Sequence, residues 1–292
     1  MEINLEPGLY IVAVSGGVDS VVLLDLLSKQ KKLNLIVAHF DHGIRKSSNL
    51  DHDFVKELAY VRKIPFYSER IELGPDVSEE TARIARYNFL ETTRKNLAAD
   101  SIVTAHHQDD LIETATFNII RGTGRRGLSS LKSTKTIKRP LLLYPKQDLI
   151  DYAEKNNLKW FEDETNKDTK YSRNYIRHKL LAGLSRQSKN NFVDILSNSR
   201  KINHTLDLEL NRQLIKHSSG NTLDKKWFIM LPHKVSTEIM ASWLRNQGLG
   251  SFDRKTIDRS VIAAKTFDKN KQLDLYNKAS LVIGINTLKI TK

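Results

Sequence analysis

The 292-residue sequence contains no cysteine. Without thiols the chain has no disulfide framework, no thiolate zinc site and no cysteine nucleophile or persulfide carrier. It also has no run of about 18 apolar residues, and no basic region followed by an apolar stretch opens the sequence, so neither a membrane span nor a signal peptide is indicated. These absences predict a cytoplasmic protein with no membrane partner.

Acidic residues are scarce in the last third of the chain. Residues 185–292 carry 19 Lys and Arg against 9 Asp and Glu, whereas residues 1–184 carry 28 against 25. A basic surface favours a polyanion through phosphate neutralisation and counterion release. The alternative is a general lysine bias in which the charges are merely solvated. We predict two domains, 1–184 and 185–292, with the second binding a nucleic acid.

A short apolar run near the amino terminus breaks into a glycine-rich turn that leads into a helix. The turn reads Ser15-Gly16-Gly17-Val18-Asp19-Ser20. Gly16 and Gly17 permit positive φ and close backbone approach, so amide N–H groups and the two serine hydroxyls can surround an anion at the positive end of the helix. Asp19 puts a carboxylate where a phosphate is expected, which requires a divalent cation between them. The turn therefore predicts a nucleotide with magnesium.

The turn is not a Walker A loop, because no lysine follows its glycines. It resembles the pyrophosphate loop, or PP-loop, of the N-type ATP pyrophosphatases, which cleave ATP between the α and β phosphates to adenylate a substrate. A Gly-Gly turn with ordinary helix capping by Ser and Asp explains the same letters without a ligand. The following pattern alternates helices with further predicted strands, at Leu33–Phe40, Pro65–Ile71 and Asp100–Ala105. That alternation predicts an α/β fold with an open parallel sheet, helices on both faces, and ligands beyond the carboxyl ends of the strands.

Two further clusters follow predicted strands. His106, Asp110 and Glu113 fall roughly on one helix face at a strand-to-helix junction, where acids that merely favour the helix dipole are the alternative. Arg83 and Arg86 stand three residues apart on the preceding helix and can present both guanidinium groups to one phosphate, or form an exposed basic face.

Eight motifs in order resemble the tRNA(Ile)-lysidine synthases over roughly the first 180 residues. They are S-G-G-V-D-S from 15, H-x-D-H-G-I-R from 39, A-R-x-x-R-Y from 82, A-H-H-x-D-D-x-x-E-T from 105, R-G-T-G-x-x-G-L from 121, R-P-L from 139, W-x-E-D-x-T-N-x-D from 160 and R-N-x-I-R from 173. The resemblance implies a ligase that adenylates cytidine 34 of the CAU-anticodon isoleucine tRNA and then joins the ε-amine of free L-lysine to C2.

The same resemblance assigns roles to single residues. It implies that the loop holds the phosphates of ATP and Mg²⁺, with Asp19 on the metal side, through Ser15, Gly16, Gly17, Val18, Asp19 and Ser20. Arg86 would hold the α-phosphate, His106 the target base or its adenylate, and Asp110 the lysine amine. Arg173 or Arg177 would steady phosphate charge, and both assignments stay open. The oligomeric state is open too, with a homodimer as one alternative.

Residues 185–292 carry the resemblance poorly and predict a smaller, mainly helical domain with short strands at its end. We expect its tRNA-facing charges to include Lys225, Lys226, Arg254, Lys255 and Arg259. Three other functions are possible alternatives, and one feature of the sequence speaks against each. Thiolation of tRNA on the same fold needs cysteines, a small-molecule amidating synthetase would not need the basic third, and a non-catalytic RNA-binding protein would not need Asp19, His106 and Asp110.

Overall fold

A computed structural model of the protein describes residues 1–43, 48–74, 77–129, 131–161, 175–250, 252–268, 271–275 and 279–291. The chain forms two compact units, Met1–Ser199 and Arg200–Lys292. The first unit continues past residue 184 into a long helix. The functional boundary at 184 that the sequence suggested stays a prediction.

The first unit is built on a five-stranded sheet in the order β3-β2-β1-β4-β5, and all neighbouring strands are parallel. Its strands are β1 (Gly8–Ala13), β2 (Leu33–Asp41), β3 (Phe66–Arg70), β4 (Ser101–Val103) and β5 (Ile137–Lys138). The predicted open parallel sheet is therefore confirmed. Strand β5 was not predicted, because two residues are too few to show a strand pattern.

Helices lie between the strands, as the alternation predicted: α1 (Val18–Ser28), α2 (Ser48–Val61), α3 (Glu79–Asn96), α4 (Gln108–Ile120) and α5 (Arg125–Leu128). After β5 come α6 (Lys146–Lys155), a short π-helix (Ile176–Leu180) and α7 (Arg186–His217), and α7 extends past Ser199. The R-G-T-G-x-x-G-L motif that begins at Arg121 contains the short helix α5. The W-x-E-D-x-T-N-x-D motif lies outside the described residues from residue 162 on.

The two faces of the sheet carry separate apolar cores. Alternate residues of a strand point to opposite faces, and Val12 packs in a core with α1, α2 and α6, whereas Ile11 packs in a core with Phe89 and Leu90 of α3. Nine of the eleven residues of α1 are buried, so this helix is covered on nearly all sides. The start of α1 is accordingly held rigidly against the sheet, which fixes the glycine-rich turn before it.

The second unit combines helices with a five-stranded antiparallel sheet of order β6-β7-β10-β9-β8. Its further elements are β6 (Ser218–Ser219), β7 (Thr222–Asp224), α8 (Lys225–Met230), α9 (His233–Asn246), α10 (Arg254–Thr266), β8 (Lys271–Asp274), β9 (Ser280–Ile283) and β10 (Thr287–Thr291). Phe228, Trp243 and Leu288 are fully buried in its core. The short strands expected at its end are confirmed by β8, β9 and β10, while β6 and β7 were not predicted. In the described parts of both units, no helix is long and apolar enough to cross a membrane.

Lys225 corrects one expectation about the second unit. Its side chain is buried, and its Nζ donates to the carbonyl oxygens of Phe267, Asp268 and Gly284 at 2.6, 3.0 and 3.1 Å. Three carbonyls satisfy the three donors of an ammonium group. The prediction that Lys225 faces tRNA phosphates was therefore wrong, since the residue ties α8 to the carboxyl-terminal strands instead.

Candidate active site

A cavity of about 460 Å³ lies at the carboxyl ends of β1, β2 and β4. Its polar lining consists of Ser15, Asp19, Ser20, His39, Asp41, His42, Asp51, Arg86, Thr104, His106 and Asp110, and Gly17 and Phe161 also line it. The parallel sheet thus brings the glycine-rich turn, Arg86, His106 and Asp110 to one cavity. The lining does not include Gly16, Val18 or Arg177, and Arg173 lies outside the described residues.

The turn is braced by the hydroxyl of Ser20. Ser20 Oγ accepts hydrogen bonds from the amides of Ser15 and Gly16, both at 3.2 Å, and donates to the carbonyl of Gly17 at 2.9 Å. Gly16 has φ +96°, a left-handed conformation that disfavours any residue with a Cβ. Two of the amides expected to face an anion are thus engaged within the turn, and Ser20 is first of all its internal brace.

Gly17 has an ordinary extended backbone, with φ −73° and ψ 159°, so only Gly16 of the two glycines uses positive φ. It is the N-cap of α1, and no side chain caps this helix. The first N–H groups of a helix have no acceptor within the helix. A Cβ on Gly17 would have only Ser15 Oγ at 3.7 Å and the Phe161 carbonyl at 4.0 Å nearby. The start of α1 therefore offers the cavity N–H groups that have no acceptor within the helix, with room beside Gly17.

Phe161 packs beside the turn, a contact that the sequence did not indicate. Its amide donates to the carbonyl of Gly16 at 3.0 Å, and its ring packs edge-on against Phe54 with centroids 4.7 Å apart. The contact links residues far apart in the sequence, and a lone aromatic after Trp160 gives no signal for it. This contact holds the left-handed Gly16 in place.

Asp19 is paired with a lysine that the sequence did not point to. Lys146 Nζ, from the start of α6, donates to both carboxylate oxygens of Asp19 at 2.6 Å, and the ring of His107 lies 3.7 Å from the same carboxylate. Mg²⁺ at nucleotide sites is commonly held by one or two carboxylates together with phosphate oxygens and water. Among the described residues no cluster of three or more His, Cys or acidic side chains could hold a metal alone. Asp19 therefore fits a magnesium ion only when phosphates supply further ligands.

His106 is held neutral in the cavity wall. Its Nδ1 is hydrogen-bonded to Thr104 Oγ1 at 2.8 Å. Burial, opposed by the charge of Asp110 and assisted by the positive charges of Arg139 and Arg86, lowers the pKa of His106 to about 3. A neutral imidazole can donate or accept a hydrogen bond but adds no charge.

Asp110 is a carboxylate with two roles in the structure. One oxygen accepts a hydrogen bond from the amide of His107 at 2.9 Å, which caps the start of α4. Burial raises the pKa of Asp110, but the ring and amide of His107 outweigh it, so the pKa is lower than that of a free aspartate. The residue therefore stays ionised and lines the cavity, while serving the capping role that was the alternative interpretation.

Glu113 and Arg177 form a pair beside Asp110. The Nε and a terminal nitrogen of Arg177 donate to the two oxygens of Glu113 at 2.6 and 3.0 Å, and Arg177 lies 3.9 Å from Asp110. Burial raises the pKa of Glu113, whereas the hydrogen bonds that Arg177 donates to Glu113 raise the pKa of Arg177. This fork-to-fork pair gives Arg177 a fixed position next to the cavity wall.

The two arginines of α3 converge on one tyrosine. The guanidinium carbons of Arg83 and Arg86 lie 4.7 and 5.6 Å from the ring centre of Tyr87. Only Arg86 of the two lines the cavity.

The buried ring of His39 is hydrogen-bonded to the carbonyl of Val14 at 2.9 Å, and burial lowers the pKa of His39. His39 thus braces the ends of β1 and β2.

Known proteins resemble more than half of this chain. The tRNA(Ile)-lysidine synthase of Thermotoga maritima is 39% identical over 188 residues, which are 61% of this chain and 45% of the relative. That of Exiguobacterium sibiricum is 41% identical over 62% of this chain and 44% of its own length. The solved U34-tRNA thiolase NcsA of Methanococcus maripaludis, with its iron–sulfur cluster, has a TM-score of 0.56 at 19% identity, covering 68% of this chain and 73% of that one.

The chain spans less than half the length of these curated relatives, and the thiolase shows the fold alone. A family model described as a PP-loop domain matches residues 4–184, which contain the parallel sheet and every element of the cavity. This range is more than half of the sequence. The chain therefore belongs to the family of ATP-binding PP-loop domains.

Proposed function

We propose that the protein joins free L-lysine to C2 of cytidine 34 in the isoleucine tRNA with anticodon CAU. The observation that carries this proposal is one cavity that combines the glycine-rich turn with Arg86, His106 and Asp110. A phosphate site, a neutral ring and a carboxylate are the groups that adenylation of a base and attack by an amine require. Curated relatives named tRNA(Ile)-lysidine synthase, 39% and 41% identical over the same region, support it.

The first step transfers adenylate to the base. O2 of the cytosine attacks the α-phosphorus of ATP, and the bond to the β-phosphate breaks to release pyrophosphate. In our proposal the start of α1 binds the phosphates through its N–H groups, and Arg86 neutralises the charge that develops on the α-phosphate. Asp19 would help to hold a magnesium ion, which would supply charge neutralisation for the leaving pyrophosphate.

The second step forms the carbon–nitrogen bond. The lysine ε-amine attacks C2, and AMP leaves with the oxygen that was O2. Asp110 is ionised, so it can orient the ammonium group of lysine and accept a proton as the amine attacks. His106 contacts the base as a neutral ring, and Arg177, held by Glu113, adds positive charge at the edge of the site.

The target base must leave its loop before it reaches this cavity. Single-stranded anticodon bases can be unstacked and read on their edges, whereas phosphate contacts position the RNA without reading it. The excess of basic residues after residue 185 supports such phosphate contacts. A tRNA substrate also agrees with a cytoplasmic location, which we propose for the protein.

Thiolation of tRNA is a second activity on the same fold. Iron–sulfur clusters are held mainly by cysteine thiolates, and this sequence has no cysteine. The chain therefore cannot hold a cluster in that way. We favour the lysine ligase for this reason.

The test is transfer of radiolabelled lysine to tRNA. The full chain is incubated with ATP, Mg²⁺ and labelled lysine, together with either the CAU-anticodon isoleucine tRNA or methionine tRNA, and the nucleosides are analysed by mass spectrometry. We expect label only in the isoleucine tRNA, at position 34, and none with Asp19→Asn. Incorporation into neither tRNA, with the wild type folded by thermal melting, would refute the proposal.

A further inference from the structure

A short ion pair joins the glycine-rich turn to the start of helix α6. Lys146 Nζ contacts both oxygens of Asp19 at 2.6 Å, although the two residues lie far apart in the sequence. The lysine side chain is 38% exposed and that of Asp19 is 27% exposed. The pair is therefore accessible to a ligand rather than sealed in the core.

The position of Lys146 is fixed by a second carboxylate. Lys146 is the first residue of α6, and its amide donates to Asp109 Oδ2 at 3.0 Å. The other oxygen of Asp109 accepts from Lys189 Nζ at 2.6 Å. Leu149 and Ala153 of α6 pack in the same core as α1. The backbone that carries Lys146 is thus held at the turn, and only its side chain remains free to move.

The pair has an electrostatic consequence for nucleotide binding. Asp19 lines the cavity next to the start of α1, where phosphates are proposed to bind, and a bare carboxylate would repel them. An ammonium ion in contact with both oxygens cancels that charge. A divalent cation needs a lone pair of the same carboxylate, whose two oxygens offer about four acceptor positions. Lys146 and the metal therefore share or compete for one group.

We propose that Lys146 is the counter-ion of Asp19 that lets the site accept a nucleoside triphosphate before a divalent cation is bound. No residue of the glycine-rich turn can neutralise Asp19 in this way, since the turn contains no lysine, so the positive charge comes from α6. A bound metal would share the carboxylate of Asp19 with Lys146. Lys146 is a positioning residue, and the inference rests on the proposed ATP site.

The experiment compares nucleotide binding with and without metal. The probe is an ATP analogue with a methylene bridge between the α and β phosphates, titrated by calorimetry into the full chain in EDTA and in saturating Mg²⁺. The quantity measured is the Kd in EDTA divided by the Kd in Mg²⁺. In Lys146→Met we expect binding in EDTA to weaken and the ratio to rise by about fivefold to tenfold, because a unit charge at contact distance is worth about that much even near the dielectric constant of water.

Lys29→Met is the matched control. Lys29 makes a similarly short ion pair, at 2.7 Å with Asp25, and neither residue lines the cavity. Its ratio should equal that of the wild type, and Lys146→Arg should keep the ratio near the wild-type value because it keeps the charge.

The outcomes separate the inference from the proposed function. If Lys146→Met weakens binding equally in EDTA and Mg²⁺, or leaves the ratio unchanged, Lys146 is not the counter-ion and the inference is overturned. If the folded wild type binds the analogue under neither condition, the ATP site itself is wrong, and the inference is overturned with it.

Discussion

Gly17→Ala separates the folding role of the glycine-rich turn from its binding role. Gly17 has φ −73° and ψ 159°, which alanine adopts without strain. The new methyl group would have its closest protein neighbours at 3.7 and 4.0 Å, which is ordinary van der Waals contact. Replacing such a glycine usually stabilises a protein by about 0.4–1 kcal/mol, because the unfolded chain loses freedom. The variant should therefore be as stable as the wild type or slightly more stable.

Its nucleotide affinity should fall all the same. Gly17 lines the cavity at the cap of α1, so the methyl group would occupy space in the proposed phosphate site. Overpacking of this kind costs about 1–3 kcal/mol, which is roughly a fivefold to 150-fold increase in Kd.

Gly16→Ala is the matched comparison for this test. With φ +96° it should lose stability by about 1–2 kcal/mol. Urea unfolding and calorimetry with the methylene-bridged ATP analogue measure both effects. A Gly17→Ala protein that is stable and binds the analogue like the wild type would refute the phosphate site at the start of α1.

Three further predictions concern the lysine, the tRNA and the pH dependence. Asp110→Ala should lose lysine transfer more than adenylation of tRNA, so adenylated tRNA should accumulate on gels; equal loss of both steps would make Asp110 a structural residue. Exchanging Lys226, Arg254 and Lys255, all exposed, for Gln should flatten the log–log salt dependence of tRNA binding by roughly 0.7–0.9 per lost phosphate contact; an unchanged slope would mean solvated charges. The pKa of His106 is lowered from 6.5 to about 3 by folding, so its contribution to stability is complete above about pH 6.5 and is lost as the pH falls towards 3. His106→Gln should therefore show a smaller loss of unfolding free energy between neutral and acidic pH in urea melts, by up to about 1.4 kcal/mol per pH unit, and an identical pH dependence would contradict the buried neutral ring.

The local patterns of the sequence were sufficient for the sheet and the main lining of the cavity. The alternation of apolar strands and helices predicts a parallel sheet. A parallel sheet puts the carboxyl ends of all its strands at one edge, so the turn, His106 and Asp110 meet there. Lys146 and Phe161 could not be predicted, because each reaches the turn only through the packing of distant elements.

The second unit shows a different limit of sequence reasoning. A lysine in a basic region suggests an exposed charge, yet Lys225 is buried with three carbonyl acceptors. Charge counts describe composition, and only the fold decides which charges reach the surface. The prediction of a basic surface therefore rests on composition alone, and each charged residue has to be tested separately.

The site of ATP cleavage tests the central claim most directly. The full chain is incubated with ATP labelled at the α-phosphate, with the isoleucine tRNA, and with or without lysine, and the products are separated by chromatography. The account predicts pyrophosphate and adenylated tRNA without lysine, and free AMP only when lysine is also present. Formation of ADP and phosphate, or AMP release that does not depend on tRNA and lysine, would contradict it.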